Sequence, residues 1–175
     1  MSIDKRILYN RLIDFVNSYY KEPNIDFVKY LVNVILWNNP TENCISHSPK
    51  SKWADLKFGK SLFDVDLNHG LPIGNYTSQV FANFYLSQLD HYLKHEKKIE
   101  FYGRYVDDFV IVHKSKTVLR KLVPEINNFI YANLGLQLNP KKLYLQPYYN
   151  GVKFLGFFIK QNHIIANPRI YKNFT

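Results

Sequence analysis

Two apolar runs, 99–106 and 109–113, meet with only Asp107-Asp108 between them. Few features constrain a fold more tightly. Apolar runs this close in sequence leave room for nothing but a tight turn, so they predict an antiparallel β-hairpin with an acidic pair at or beside its tip. Taken alone, adjacent acids most often occupy a solvated turn. These two stand between Tyr102-Gly103-Arg104-Tyr105-Val106 and Phe109-Val110-Ile111-Val112, strands fit for burial. Carboxylates held together on a rigid hairpin repel unless a cation lies between them. Divalent metal is the simplest such cation. Mg²⁺ prefers a few carboxylate oxygens plus substrate phosphates, and two ions about 4 Å apart clamp the attacking and leaving oxygens of phosphoryl transfer.

The rest of the chain gives that hairpin helical company. Ile3, Ile7, Leu8, Leu12, Phe15 and Val16 predict an amphipathic helix over 4–20, and Phe27, Leu31, Val34 and Ile35 carry a second to about Trp37. Periodicity fades over 38–69, a length of irregular chain that is usually functional. The stiff turn Gly70-Leu71-Pro72-Ile73-Gly74-Asn75 opens a third helix, which Thr77 or Ser78 can cap. Its apolar stripe is Phe81, Phe84, Tyr85, Leu89 and Tyr92. After the hairpin, 116–133 returns to helical spacing, and strands are expected at 136–138, 143–146, 153–159 and 163–166. Helix, helix, loop, helix, hairpin, helix, strands is the order of an α+β domain whose antiparallel sheet carries helices on one face.

Composition sets outer limits. The 175 residues, 46% hydrophobic, suit one domain. Lys and Arg outnumber Asp and Glu 23 to 14, a net charge of +9 that favours a polyanionic partner. The abundance of Asn, Lys, Ile, Tyr and Phe also fits an AT-rich genome, which weakens charge as a clue. Beyond Glu125 there is no acid, while Lys141, Lys142, Lys153, Lys160, Arg169 and Lys172 alternate with Tyr144, Tyr148, Tyr149 and Tyr171. Such a tail suits a nucleic-acid backbone, or simply a solvated edge. The lone Cys44 makes no internal disulfide, no apolar leader follows Met1, and the most apolar stretch, 28–37, is too short to span a bilayer. A cytoplasmic protein without membrane contact is expected. His91 and His95 lie four apart, but no histidine has zinc-ligand spacing with Cys44.

Tyr105-Val106-Asp107-Asp108 on a hairpin resembles the Y-x-D-D signature of reverse transcriptases. Gly70-Leu71-Pro72-Ile73-Gly74-Asn75-Tyr76-Thr77-Ser78-Gln79, followed by Val80-Phe81-Ala82-Asn83-Phe84-Tyr85-Leu86, resembles that family's second palm motif at a fitting distance. Leu136-Gln137-Leu138-Asn139-Pro140-Lys141-Lys142 resembles the motif whose lysine faces the leaving pyrophosphate, and Lys142 is preferred to Lys141 by spacing. Lys153-Phe154-Leu155-Gly156 resembles the hairpin that supports the primer end. Most bacterial relatives, in group II introns and retrons, hold Q-G-x-x-x-S-P in the second motif. Here the form is Ile73-Gly74-Asn75-Tyr76-Thr77-Ser78-Gln79, which resembles the reverse transcriptases of diversity-generating retroelements. Cys44, Ser48-Pro49-Lys50-Ser51-Lys52-Trp53 and Lys60-Ser61-Leu62-Phe63 match that type as well.

The resemblance implies a palm-like fold and an RNA-directed DNA polymerase, bacterial or phage-encoded. It would use Mg²⁺ or Mn²⁺ on Asp107 and Asp108, with Lys142 as proton donor. Tyr105, Pro72, Ile73, Gly74, Gln79, Phe154, Leu155 and Gly156 would lie against nucleotide or primer. Template RNA, primer or cDNA, deoxynucleoside triphosphates and a small basic accessory protein are the implied partners. Copying in that type errs at template adenines, and the apolar Ile73 where relatives hold an amide would relax selection of the incoming base. Ser2-Ile3-Asp4 matches the end of the first palm motif, so that motif's metal-binding Asp is expected before residue 1. Asp4 itself suits a helix N-cap. Residues 1–175 are therefore expected to form a single palm-like region, with fingers missing upstream and little or no thumb. The isolated chain is expected to polymerise poorly or not at all. A non-catalytic nucleic-acid-binding remnant and a retron or group II intron-like polymerase are the competing readings.

Overall fold

The computed structural model describes residues 2–45, 47 and 61–167. The motif residues Ser48-Pro49-Lys50-Ser51-Lys52-Trp53 and Lys60, and Arg169, Tyr171 and Lys172 of the basic tail, lie outside the described residues.

Helix α1 spans Lys5–Tyr19. Asp4 caps it, its carboxylate accepting from the backbone N–H of Arg6 at 2.8 Å and of Ile7 at 3.3 Å. Just before the helix, the backbone is stitched to the later loop. Lys5 N–H donates to the Asn68 carbonyl, and Gly70 N–H to that of Ile3. Helix α2, Ile25–Trp37, packs back on α1. Its apolar residues go all round, so two stripes compete for the core. Leu36 wins that contest, buried with Val32 and Trp37 beside it and the Trp37 ring edge-on to Tyr9. The stripe of Phe27, Leu31, Val34 and Ile35 faces outward instead.

Helix α3, Tyr76–His91, runs on into a π-helical turn, Tyr92–Glu96. Asn75 is its N-cap and makes no side-chain cap bond, so the expected cap by Thr77 or Ser78 does not form. Those two residues already sit inside the first turn, two and three positions past the cap. Tyr85 is fully buried, its hydroxyl donating to the Leu134 carbonyl at 2.5 Å, and burial pushes the phenol up to about 12. Arg11 of α1 donates to the Tyr85 carbonyl at 2.5 Å and lies over the Phe84 ring. The wider π turn sets Tyr92 flat on Phe129, with centroids 3.9 Å apart.

Strands β1, Phe101–Tyr105, and β2, Asp108–Val112, form the anticipated hairpin. Helix α4, Lys116–Leu134, follows, capped by the Ser115 hydroxyl and closed by Gly135 in the left-handed conformation. Leu122, Ile126, Ile130 and Leu134 meet Leu8, Leu12, Leu89 and Leu93 in one core, against which Tyr102, Phe109 and Ile111 of the hairpin also pack.

Beyond α4, the expected strands at 136–138 and 143–146 are absent, and over 136–138 the backbone bonds to α4 rather than to a ladder, Leu136 N–H donating to the Ile130 carbonyl. Leu138 N–H donates to the Asn127 side chain of α4, and Asn139 closes a turn with Lys141 and Lys142. Leu136 and Leu138 still pack on the core, which explains their strand-like alternation. The run at 153–159 is not one strand but two, β3 (Val152–Phe154) and β4 (Phe157–Ile159), joined by Leu155-Gly156 with both residues at positive φ. Strand β5, Ile164–Ala166, completes an antiparallel meander. Gly151 must be glycine: a Cβ there would lie 2.8 Å from the Ile159 carbonyl oxygen. The α+β class holds, but as two small antiparallel sheets, β1–β2 and β3–β4–β5, rather than one. Among the described residues, no helix is long and apolar enough to cross a membrane.

The two faces of α2 should respond differently to truncation. Leu36→Ala should lower the unfolding free energy by about 2–5 kcal/mol, and Phe27→Ser should change it by less than about 0.5 kcal/mol, both read from urea denaturation.

Candidate active site

The hairpin's register decides what its tip can do. Tyr105 pairs with Asp108, leaving a two-residue loop of Val106 and Asp107. Val106 has φ +54, a left-handed conformation that a β-branched residue rarely adopts and that glycine usually fills in such turns. The strain costs about 1–3 kcal/mol, so neighbouring bonds must hold it.

Alternation along β1 places Tyr102 and Arg104 on the face toward α3. Both end on Asp90. The Tyr102 hydroxyl donates to its Oδ1 at 2.6 Å, and Arg104 grips both oxygens, from Nε at 2.7 Å and from Nη2 at 2.5 Å. The remaining guanidinium nitrogen, Nη1, donates to Asn83 at 3.1 Å and to the Val106 carbonyl at 2.7 Å. Hydrogen bonds to charged groups are worth about 1.5–3 kcal/mol each, so this cluster outweighs the strained turn. Burial would raise the Asp90 carboxyl, but the Arg104 and Tyr102 hydrogen bonds overcome it and hold the group below the usual carboxylate range. The Asp90 hydrogen bond raises Arg104, and burial, then Asp90, raises the Tyr102 phenol. Asp90, Tyr102 and Asn83 were not singled out from sequence, and Arg104 had no role beyond its motif. Two polar-tipped side chains at alternate strand positions were the available signal.

Asp107 and Asp108 are exposed, and neither carboxylate has a side-chain hydrogen bond or ion pair among the described residues. They line a groove of about 2300 Å³ together with Arg104 and Val106. Into it come Pro72, Ile73, Gly74 and Gln79 from one side, Lys141 and Lys142 from another, and Phe154, Leu155 and Gly156 from the meander. Ile73 is 98% exposed, and a side chain at Gly74 would meet nothing. Lys142 is exposed on the turn closed by its own N–H to the Asn139 carbonyl. Tyr105 does not line the groove. It stands 60% exposed beside the groove, paired across the hairpin with Asp108, which does line it.

The family model described as reverse transcriptase (RNA-dependent DNA polymerase) matches residues 32–159, most of the chain, from within α2 to the end of β4. The chain belongs to the reverse transcriptase family. This reverse transcriptase chain is also 34% identical over 77 residues to a Saccharomyces cerevisiae protein named for COX1/OXI3 intron 2. That stretch is 41% of the chain and 9% of the yeast protein. Reverse transcriptases as a family are nucleotidyltransferases that generally use Mg²⁺. Two unpaired, exposed carboxylates are a fitting donor set for that ion, whose remaining ligands come from water and substrate phosphates. Among the described residues no third acid, histidine or cysteine joins them.

Because the folded Asp90 carboxyl lies below its ordinary value, its contribution to stability is present above that value and lost as pH falls through the folded one. Asp90→Asn should therefore destabilise the protein at pH 7, with the gap to wild type narrowing below about pH 4, measured by urea denaturation across pH.

Proposed function

We propose that this chain is the palm of an RNA-directed DNA polymerase in which Asp107 and Asp108 are the metal-binding pair, of the diversity-generating retroelement type. Convergence of the acidic tip, the 70–79 turn, the lysine turn and the meander on one groove supports the reading. Mg²⁺, or Mn²⁺ in its place, would be held by Asp107 and Asp108 and would supply positive charge to the nucleotidyl transfer in which the primer hydroxyl attacks the α-phosphorus of a deoxynucleoside triphosphate and pyrophosphate leaves. Lys142 donates a proton to the departing pyrophosphate. Pro72, Ile73, Gly74 and Gln79 shape the slot for the nucleotide, whose negative end faces the start of α3. Phe154, Leu155 and Gly156 support the primer end, and Tyr105, next to the acidic pair, stands beside primer or nucleotide. Template RNA, primer and growing cDNA occupy the groove, and a small basic accessory protein completes the assembly.

The Ile73-Gly74-Asn75-Tyr76-Thr77-Ser78-Gln79 form supports the retroelement type. A group II intron type is the second reading, favoured by the likeness to the yeast intron protein. Fidelity separates them. In the polymerase that carries this palm, RNA-templated extension should require Mg²⁺, vanish in Asp107→Asn and slow by about a hundredfold in Lys142→Ala. Errors should cluster opposite template adenines and fall in Ile73→Gln. Extension that survives Asp107→Asn would sink the catalytic reading. Equal error rates for Ile73→Gln and wild type would sink the role of Ile73, and an even error spectrum would favour the intron type. No extension at all would leave a nucleic-acid-binding remnant.

A further inference from the structure

We propose that Arg104, braced by Asp90 and Asn83 of α3, is a positioning residue that holds the Val106 turn in its left-handed form and so sets where the Asp107 and Asp108 carboxylates stand. This role rests on the polymerase reading of the acidic pair and adds to it a strut made of residues outside that pair.

The geometry of one peptide unit carries the inference. The Val106 carbonyl and the Asp107 N–H belong to a single rigid plane. Arg104 Nη1 donates to that carbonyl at 2.7 Å, so the guanidinium fixes the plane from which the Asp107 side chain departs. Arg104 is fixed in turn, because both Asp90 oxygens receive its other donors and Asn83 shares Nη1. A lysine could not do this, since one ammonium cannot span Asp90 and the Val106 carbonyl with a planar fork. Val106 at φ +54 needs such a hold. Arg104 is only 10% exposed at its side chain, and both it and Val106 line the groove. Helix α3 supplies Asp90 and Asn83 and also brings Ser78 and Gln79 to the groove from its first turn. One rigid helix thus ties the turn at 70–75 to the acidic tip, so the two sides of the groove keep their spacing.

The test uses wild type, Arg104→Gln, Asp90→Asn, and Arg104→Gln combined with Val106→Gly, with extension read in the polymerase that carries this palm. Three quantities are read: melting temperature, the backbone chemical shifts of Val106 and Asp107 without metal, and the Mg²⁺ concentration giving half-maximal extension. Both single variants should move the Val106 shifts out of the left-handed range and raise the Mg²⁺ requirement about tenfold, as loss of a ligand-orienting partner does. Glycine at 106 takes positive φ without a brace, so the combined variant should return the Mg²⁺ requirement to within about twofold of wild type. Unmoved Val106 shifts in folded Arg104→Gln and Asp90→Asn, or a raised requirement that Val106→Gly does not relieve, would overturn the strut. Should Arg104→Gln fail to fold, Asp90→Asn decides. If wild type shows no Mg²⁺-dependent extension while the Val106 shifts move as expected, the polymerase reading fails and the strut stands.

Discussion

The structure depends on the grip of Arg104 on Asp90. It is the polar joint between a two-stranded hairpin and the helix behind it, and a two-stranded hairpin alone is marginal in water. Apolar packing of Tyr102, Phe109 and Ile111 on the core holds the hairpin down but gives it no rotational detail. A bidentate arginine pair supplies that detail, because its planar fork accepts only one orientation. The acidic tip inherits its position from this joint.

Around it, the core works as a frame. Tyr85 ties α3 to the end of α4, Arg11 ties α1 to α3, and the backbone bridge between Asp4 and His69 pins the loop that leads into the 70–75 turn. Each of these links ends near an element that lines the groove. Stability and site geometry are therefore the same set of bonds, with the charged groups free for chemistry left at the surface. Asp107, Asp108, Lys141 and Lys142 are all exposed, while Asp90, Tyr102 and Arg104 behind the tip are partly buried.

Local signals were legible in the sequence where one partner sufficed. Asp4 as a cap, the helices and the hairpin with its acidic tip all follow from residues a few positions apart. Non-local choices were not. Leu136 and Leu138 alternate like a strand, yet their stretch bonds to Asn127 and finds no ladder. Leu155-Gly156 broke a run that looks continuous, because two residues at positive φ turn the chain at once. Helix α2 shows two apolar stripes, and only the neighbouring helix decides which is buried. At the site, the motif residues could be named, but Asp90 looked like any surface acid on a helix. Its meaning comes from Tyr102 and Arg104, which reach it only after the hairpin folds over α3.

Titration with Mn²⁺ while watching backbone amide resonances tests the central claim most directly. A metal-binding hairpin tip predicts paramagnetic broadening that begins at Val106, Asp107 and Asp108 and disappears in the Asp107→Asn, Asp108→Asn double variant. Broadening that spares the tip, or that centres instead on His91 and His95, would contradict it.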